Sequence, residues 1–487
     1  MPLFSMKANH KSLAPQTTER DSIIVCQTSQ GYNVRATPLR ITRDVVVFEV
    51  YNPYSILQLS EVLQEFRIIV NERLIYSGRA TVSNLVNTGI MLVCEAGLAD
   101  GWLDVDLFAL VTEPQKLRAD FLDFLKEWGR INFILPEYKV VLADIQNYFI
   151  DLNRWLEQVE LGIRSSPSPN RRKTELEVIQ ELAPTILPSI DSLFARFEEI
   201  ADNVPDDLLP FHRTYAKRQL HPQVLCSPFA YRTYHKPLGY AGDYETVNMI
   251  LREPLEGGSM FAKTINMWLL RQPSAEAHRN RITYLTGQLV KETHRLAQQG
   301  SIAQIFSLGC GPAGEVKNFL IQEEVSNKAR FTLLDFNDET LQHTAQVLEK
   351  AKRQYRRSTE IEMVKKSVHQ MLKESGKQAA HRKYDFIYCA GLFDYLSDRV
   401  CKRLMNILYD MLAPSGLLLA TNVHSSNPNR NSMDFFLEWH LVHRNRAQLE
   451  HLRPDLAPEG SFREKQEFTG VNIFIEVRKP GEASHLE

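Results

Sequence analysis

The stretch IAQIFSLGCGPAGE, residues 302–315, decides how this chain is read. Ile302–Leu308 is a short apolar run rich in β-formers, and it ends abruptly in Gly309-Cys310-Gly311-Pro312-Ala313-Gly314. EVKNFLIQEE (315–324) follows with helical spacing. Strand, glycine loop and helix in that order read as the first βα unit of a parallel sheet. Glycines in such a loop permit tight turning and let a ligand approach the backbone where a side chain would collide.

Downstream the alternation continues. ARFTLLDFN (329–337) reads as a strand, DETLQHTAQVLEKAKRQY (338–355) as a helix and Ile361–Val364 as a third strand. YDFIYCAG (384–391) is a strand, DRVCKRLMNILYDML (398–412) a helix, GLLLATNV (416–423) a strand and FTGVNIFIEVR (468–478) the last strand. This order predicts a doubly wound sheet. Asp335 ends the second strand, 26 residues after Gly309. An acid there can accept both hydroxyls of a ribose, or it can cap the helix that starts at DETL. KKSVHQM (365–371) follows the third strand and AGLFDYL (390–396) the fourth.

The order strand, GCGPAGE, strand, Asp335, strand, Ser367-Val368, strand, AGLFDYL resembles the class I methyltransferases that use S-adenosyl-L-methionine (SAM). The resemblance covers about residues 275–480 and implies a Rossmann-like fold closing in an antiparallel hairpin. It implies that Gly309, Cys310, Gly311 and Ala313 lie against the methionine part of SAM, and that Asp335 holds the ribose. Phe336 and Asn337 would flank the adenosine, with Ser367 and Val368 at the adenine edge, where the family often has Asp. Cys389, Ala390 and Gly391 would face the transferred methyl. A dinucleotide-dependent dehydrogenase shares the sheet order, and Gly309, Gly311 and Gly314 complete its GxGxxG spacing. Pro312 and AGLFDYL favour SAM.

GYAGDYE (239–245) reads either as a helix start capped by Asp243 or as a lid whose Tyr240 and Asp243 reach the cofactor. This run, AGLFDYLSDRV (390–400) and NPNRNSMDFFLEWHLVHR (427–444) are similar to a methyltransferase subfamily described as synthesising 3-hydroxypalmitic acid methyl ester. That likeness implies O-methylation of a small or lipid-like carboxylic acid. Such an acceptor is ionised at neutral pH and needs no base, whereas an amine would need one. Candidate catalytic residues are His424, Asp394, Tyr395 and Arg444, with Asn422, Glu438, Trp439 and His443 nearby. DFFLEWHLVHR (434–444) is read as one helix. Arg444 is either a substrate anchor or an ion-pair partner.

Upstream, residues 21–112 read as short strands (DSIIVCQ, RDVVVFEVY, EFRIIVNERLIYSG, TGIMLVCEAG) and predict a small barrel. They loosely resemble a PilZ domain, a module that can bind cyclic di-GMP. Arg35, Arg40 and Arg43 depart from the RxxxR spacing, and Asn84–Gly89 has Val86 where the turn motif has Ser. The alternative is a docking or dimerisation barrel. Residues 113–274 read as mostly helical. Leu117, Phe121, Phe124, Leu125 and Trp128 supply apolar positions, Pro136 separates two helices, SSPSPNRRK (165–173) is a linker, and Pro184 and Pro188 interrupt a helix. Residues 275–487 form the methyltransferase-like domain. The whole is a multidomain α/β chain.

The 57 Lys+Arg against 59 Asp+Glu exclude a global basic surface for nucleic acid. Six cysteines without CxxC pairs predict reduced thiols in a cytoplasmic protein and no metal site. Residues 1–20 show no secretory h-region, and no run is long and apolar enough to span a membrane. N-methylation of a small amine, or a nucleotide-sensing regulator built on a SAM-binding scaffold, are the rival functions. The oligomeric state is not legible in the sequence.

Overall fold

The computed structural model describes residues 22–42, 44–50, 57–70, 73–87, 92–99, 102, 118, 122, 134–165, 170–252, 254–374 and 382–481. The expected helix bearing Leu117, Phe121, Phe124, Leu125 and Trp128 lies outside the described residues, as do Arg43, Thr88 and Gly89.

The N-terminal strands are β1 (Ser22–Gln27), β2 (Asn33–Ile41), β3 (Val45–Val50), β4 (Val62–Val70), β5 (Arg73–Asn87) and β6 (Leu92–Leu98). They close into an antiparallel barrel in the order β1-β2-β3-β6-β5-β4. Alternation sends Ile24, Phe48, Phe66, Ile68 and Tyr76 into a fully buried interior. Closure leaves the sheet without free edges.

The middle region is helical: α1 (Pro136–Ser165), α2 (Arg171–Asp202), α3 (Leu209–Val224), α4 (Pro228–His235), α5 (Tyr244–Leu251), α6 (Met260–Leu270) and α7 (Pro273–Ala297). α2 runs unbroken through Pro184 and Pro188, contrary to the expected interruption. Ile179, Ala183, Ile186, Leu187, Ile190, Phe194 and Phe197 keep helical spacing across both prolines and are buried. Both prolines, and Gln180, whose carbonyl Pro184 leaves unpaired, are exposed, so water can satisfy the freed groups. Burial on the opposite face outweighs a cost of about 3 kcal/mol per interior proline.

The C-terminal region contains β7 (Ala303–Leu308), α8 (Gly314–Gln322), β8 (Ala329–Asp335), α9 (Asp338–Tyr355), β9 (Glu360–Lys365), α10 (Val368–Glu374), β10 (Tyr384–Cys389), α11 (Asp398–Asp410), β11 (Leu412–Val423), α12 (Arg430–Phe436), α13 (Arg446–Glu450), β12 (Phe462–Gln466) and β13 (Asn472–Arg478). The sheet order is β12-β13-β11-β10-β7-β8-β9. β9, β8, β7, β10 and β11 are parallel, and β13 and β12 are antiparallel. The order reverses between β7 and β10, and a crevice opens outside the strand ends at such a switch point.

DFFLEWHLVHR is not one helix. α12 ends at Phe436, and Glu438 takes a left-handed conformation (φ 48°). The following residues run extended: Val442 N–H donates to the Asp394 carbonyl (2.7 Å) and Arg444 N–H to the Val423 carbonyl (3.1 Å). The Glu438 carboxylate fixes this break through Lys217 (2.6 Å) and Arg79 of the barrel (3.7 Å). Phe435, Phe436 and Trp439 thereby join the core of the helical region. Among the described residues no helix is long and apolar enough to cross a membrane.

Candidate functional site

The loop after β7 is pinned to the tip of β8. Gly309 and Cys310 N–H both donate to the Leu334 carbonyl (2.8 and 3.0 Å), and Gly311 N–H donates to Asp335 Oδ2 (3.1 Å). Gly309 (φ 69°) and Ala313 (φ 47°) take left-handed conformations, and Ala313 pays a steric penalty that glycine would not. Asp335 Oδ1 accepts from Asn337 N–H (3.0 Å). Burial pushes the Asp335 pKa up, while these backbone donors oppose the rise. Asp335 does not cap α9: that part is played by Asn337, whose side chain accepts from Thr340 N–H (2.9 Å).

A cavity of about 200 Å³ opens at this loop. Gly309, Cys310, Gly311, Ala313, Asp335, Phe336, Val368, Ala390, Gly391, Tyr240, Asp394 and Tyr395 line it together. Several expected residues do not. Asn337 is spent as the α9 cap. Ser367 caps α10, its hydroxyl accepting from Gln370 N–H (3.2 Å). Cys389 is fully buried in the core beneath the sheet. Asp243 is the cap of α5 and is bidentately bound by Arg232 (3.1 and 2.9 Å), so its carboxylate is consumed by the protein.

Two catalytic candidates lie outside the cavity lining. Arg444 is fully buried, and it donates to Asp398 (2.8 Å), to the Phe393 and Leu396 carbonyls (2.8 and 2.6 Å) and to Asn422 (2.5 Å). His424 lies outside the cavity lining and pairs with Ser426 (2.7 Å). The remaining two, Asp394 and Tyr395, face the cavity. Asp394 Oδ1 accepts from Val423 N–H (2.7 Å), and the Tyr395 hydroxyl accepts from Trp439 Nε1 (2.8 Å). Burial pushes both pKa values up. Gly242 (φ 70°) lets the Tyr395 hydroxyl approach, since a Cβ there would sit 2.7 Å from it.

Sequence reading missed a buried charge that lines the cavity, Arg281 of α7. Its guanidinium packs on Gly391, where an added Cβ would meet Nη1 at 2.8 Å. One nitrogen donates to His278 Nε2 (2.5 Å), and Nε is buried with no hydrogen-bond partner among the described residues. His278 is held well below the usual imidazole range by burial and by Arg281 and Arg279, so it is neutral and free to accept. Burial also lowers the Arg281 pKa, opposed by Asp394 and Glu315. Glu315 itself accepts from the Tyr388 hydroxyl (2.7 Å). The available signal was an arginine in the buried stripe of α7, alongside Ala277 and Leu285.

Beyond Tyr395 the cavity continues into the helical region, walled by Phe194, Val224, Phe229, Trp268, Phe436 and Trp439. These come from α2, α3, α4, α6, α12 and the segment after it. The barrel contributes Gln30 and Gln58. It is docked by Val62 N–H to the Gly239 carbonyl (2.6 Å), Arg79 to the Tyr234 carbonyl (2.5 Å) and Ser60 Oγ to the His440 carbonyl (2.9 Å). Arg35 and Arg40 are exposed on β2.

No protein-family model matches the sequence, and no curated protein matches it. Among solved structures, a possible exported protein from Bordetella parapertussis is 14% identical, covering 65% of this chain and 100% of that one, with a TM-score of 0.41. The N-methyltransferase NodS of Bradyrhizobium japonicum WM9, in complex with S-adenosyl-L-homocysteine, is 14% identical, covering 49% and 98%, with a TM-score of 0.30. The magnesium protoporphyrin IX methyltransferase ChlM of Synechocystis PCC 6803, with bound S-adenosyl-L-homocysteine, is 9% identical, covering 55% and 99%, with a TM-score of 0.32.

Proposed function

We propose that the chain is a SAM-dependent methyltransferase that O-methylates a carboxylic acid carrying an apolar chain. Its catalytic domain spans about residues 275–487, walled by the helical region 113–274 and by the docked barrel 21–112. One observation carries the reading. A glycine loop at the sheet's switch point, the Asp335 carboxylate at the neighbouring strand tip and the Arg281 guanidinium, whose Nε has no partner among the described residues, open on one cavity with an apolar wall.

The residues present fit the donor. Asp335 accepts the ribose hydroxyls, and the Gly309–Ala313 loop gives the backbone close approach. Arg281 takes the methionine carboxylate, which supplies the acceptor its Nε lacks. SAM supplies an activated methyl group. The protein aligns the nucleophile with it and excludes water, a contribution of roughly 7–11 kcal/mol at best.

An acceptor carboxylate takes the methyl without surrendering a proton. A carboxylate acceptor asks no base of the cavity, and Asp394, Glu315 and His278 there already accept hydrogen bonds from Val423 N–H, Tyr388 and Arg281. Phe194, Val224 and Trp268 accept an alkyl chain, and a 3-hydroxy fatty acid combines the two features. The six free cysteines suit a reducing cytoplasm.

The test is turnover. The full-length protein with SAM and a series of 3-hydroxy fatty acids should release S-adenosylhomocysteine in step with ester. Release with small amines instead would replace the acid reading with N-methylation, and release with neither would remove it.

A further inference from the structure

Gln30, in the β1–β2 turn of the barrel, lines the cavity. Asp335 stands at the tip of β8, with the β7 loop and β10 on one side and β9 on the other. If the ribose is held by Asp335 and the methionine part by the β7 loop and Arg281, the base must project toward β9. There it meets Phe336, Lys366 and Val368. On the protein side of that slot Ser367 Oγ accepts the α10 cap hydrogen bond from Gln370 N–H.

The barrel reaches this place. Tyr32 packs on His369 of α10, with ring centroids 5.6 Å apart. Ser29 presses on Gly239 so closely that a Cβ there would lie 2.9 Å from the Ser29 Cβ. Gly239 precedes Tyr240, whose ring meets Phe336 at 5.1 Å. Between these two contacts sits Gln30, which lines the cavity with Phe336 and Val368 and whose amide has no hydrogen-bond partner among the described residues. The turn is held rigid from behind. The buried Glu61 accepts from Ser29 N–H (2.8 Å), Ser29 Oγ (2.7 Å) and Gln58 N–H (2.9 Å). Gly31 N–H donates back to the Thr28 carbonyl (2.9 Å).

We infer that the N-terminal barrel completes the donor site, with the Gln30 amide as the contact to the adenine edge. The amide carbonyl accepts from the 6-amino group while its NH₂ donates to the ring nitrogen beside it. Glu61 is a positioning residue for the turn. The inference rests on the SAM reading above and adds that the barrel is part of the binding site rather than only a docked module.

Calorimetry on the full chain tests it with two ligands: S-adenosylhomocysteine, and the analogue whose purine lacks the 6-amino group. The wild type should prefer the adenine ligand by roughly three- to tenfold, the range expected of one neutral hydrogen-bonded edge. Gln30→Ala should lose that preference and bind S-adenosylhomocysteine correspondingly weaker, with an unchanged melting curve. The coupling in this cycle is the readout that a merely structural role would not move. Undiminished affinity in Gln30→Ala, or a preference for the amino group retained in full, overturns the inference. Asp335→Ala in parallel separates the two levels. If it loses affinity while Gln30→Ala does not, only the barrel's role falls. If neither loses affinity, the SAM reading falls with it.

Discussion

Replacing Arg281 with methionine should push stability and ligand affinity in opposite directions. The guanidinium is 6% exposed and forms no ion pair among the described residues. Burial lowers its pKa, so the native state carries a charge it solvates poorly. Replacing buried charged groups with apolar side chains of similar volume is often neutral or stabilises by about 1–4 kcal/mol. Against this stands the lost hydrogen bond to His278, worth about 1 kcal/mol. The sum lies between neutral and a few kcal/mol of stabilisation, so the melting temperature of the ligand-free protein should hold or rise. Donor binding should move the other way. A hydrogen bond between charged partners contributes about 1.5–3 kcal/mol, so affinity for S-adenosylhomocysteine should fall roughly ten- to 150-fold. Thermal melting and calorimetry on the same sample read both quantities. A variant that melts markedly lower yet binds S-adenosylhomocysteine like the wild type would make Arg281 a structural residue and refute the reasoning.

Other consequences follow from the same contacts. Burial lowers the Lys236 pKa to about 7 from 10.5, so between those values the unfolded chain holds a proton that the native state has released, and stability should rise with pH across that window. Lys236→Met should flatten the rise in urea-unfolding experiments run from pH 7 to 10. Arg444→Leu strands the Phe393 and Leu396 carbonyls and should cost about 3–5 kcal/mol in urea unfolding, which is the mark of a structural arginine. Val224→Phe fills part of the apolar end of the cavity, and the preferred chain length of the acid should shorten when KM is measured across a homologous series.

The central strands were legible because β7, β8 and β10 are short apolar runs that end at or near a glycine or an acid, whereas the polar edge strand β12 left no such mark. A parallel strand buried on both faces leaves that imprint. Gly309, Asp335 and Gly391 could be placed for the same reason: strand ends are marked in sequence, and the switch point gathers them. The residues that failed are those whose spacing is ambiguous locally. EWHLVHR (438–444) has helical spacing, but Glu438 turns left-handed against Lys217 and Arg79, partners far away in sequence. Pro184 and Pro188 read as breaks, because nothing local says that both face solvent. Asp243, Ser367 and Asn337 are residue types that suit a ligand or a helix cap equally, and only the fold decides between the two. Arg281 and Gln30 carry no motif at all. One is an arginine inside an apolar helix stripe and the other sits in a barrel turn, and tertiary docking alone brings them to the cavity.

The central claim is that Asp335 at the tip of β8 holds the sugar of a SAM-type donor seated on the loop after β7. Calorimetric titration of S-adenosylhomocysteine into the wild type and Asp335→Ala tests this most directly. The wild type should bind, and Asp335→Ala should bind at least tenfold more weakly, since about 1.5–3 kcal/mol attaches to each hydrogen bond to a carboxylate. Equal affinity in the two proteins, or a wild type that binds a nicotinamide dinucleotide and not S-adenosylhomocysteine, would contradict the account.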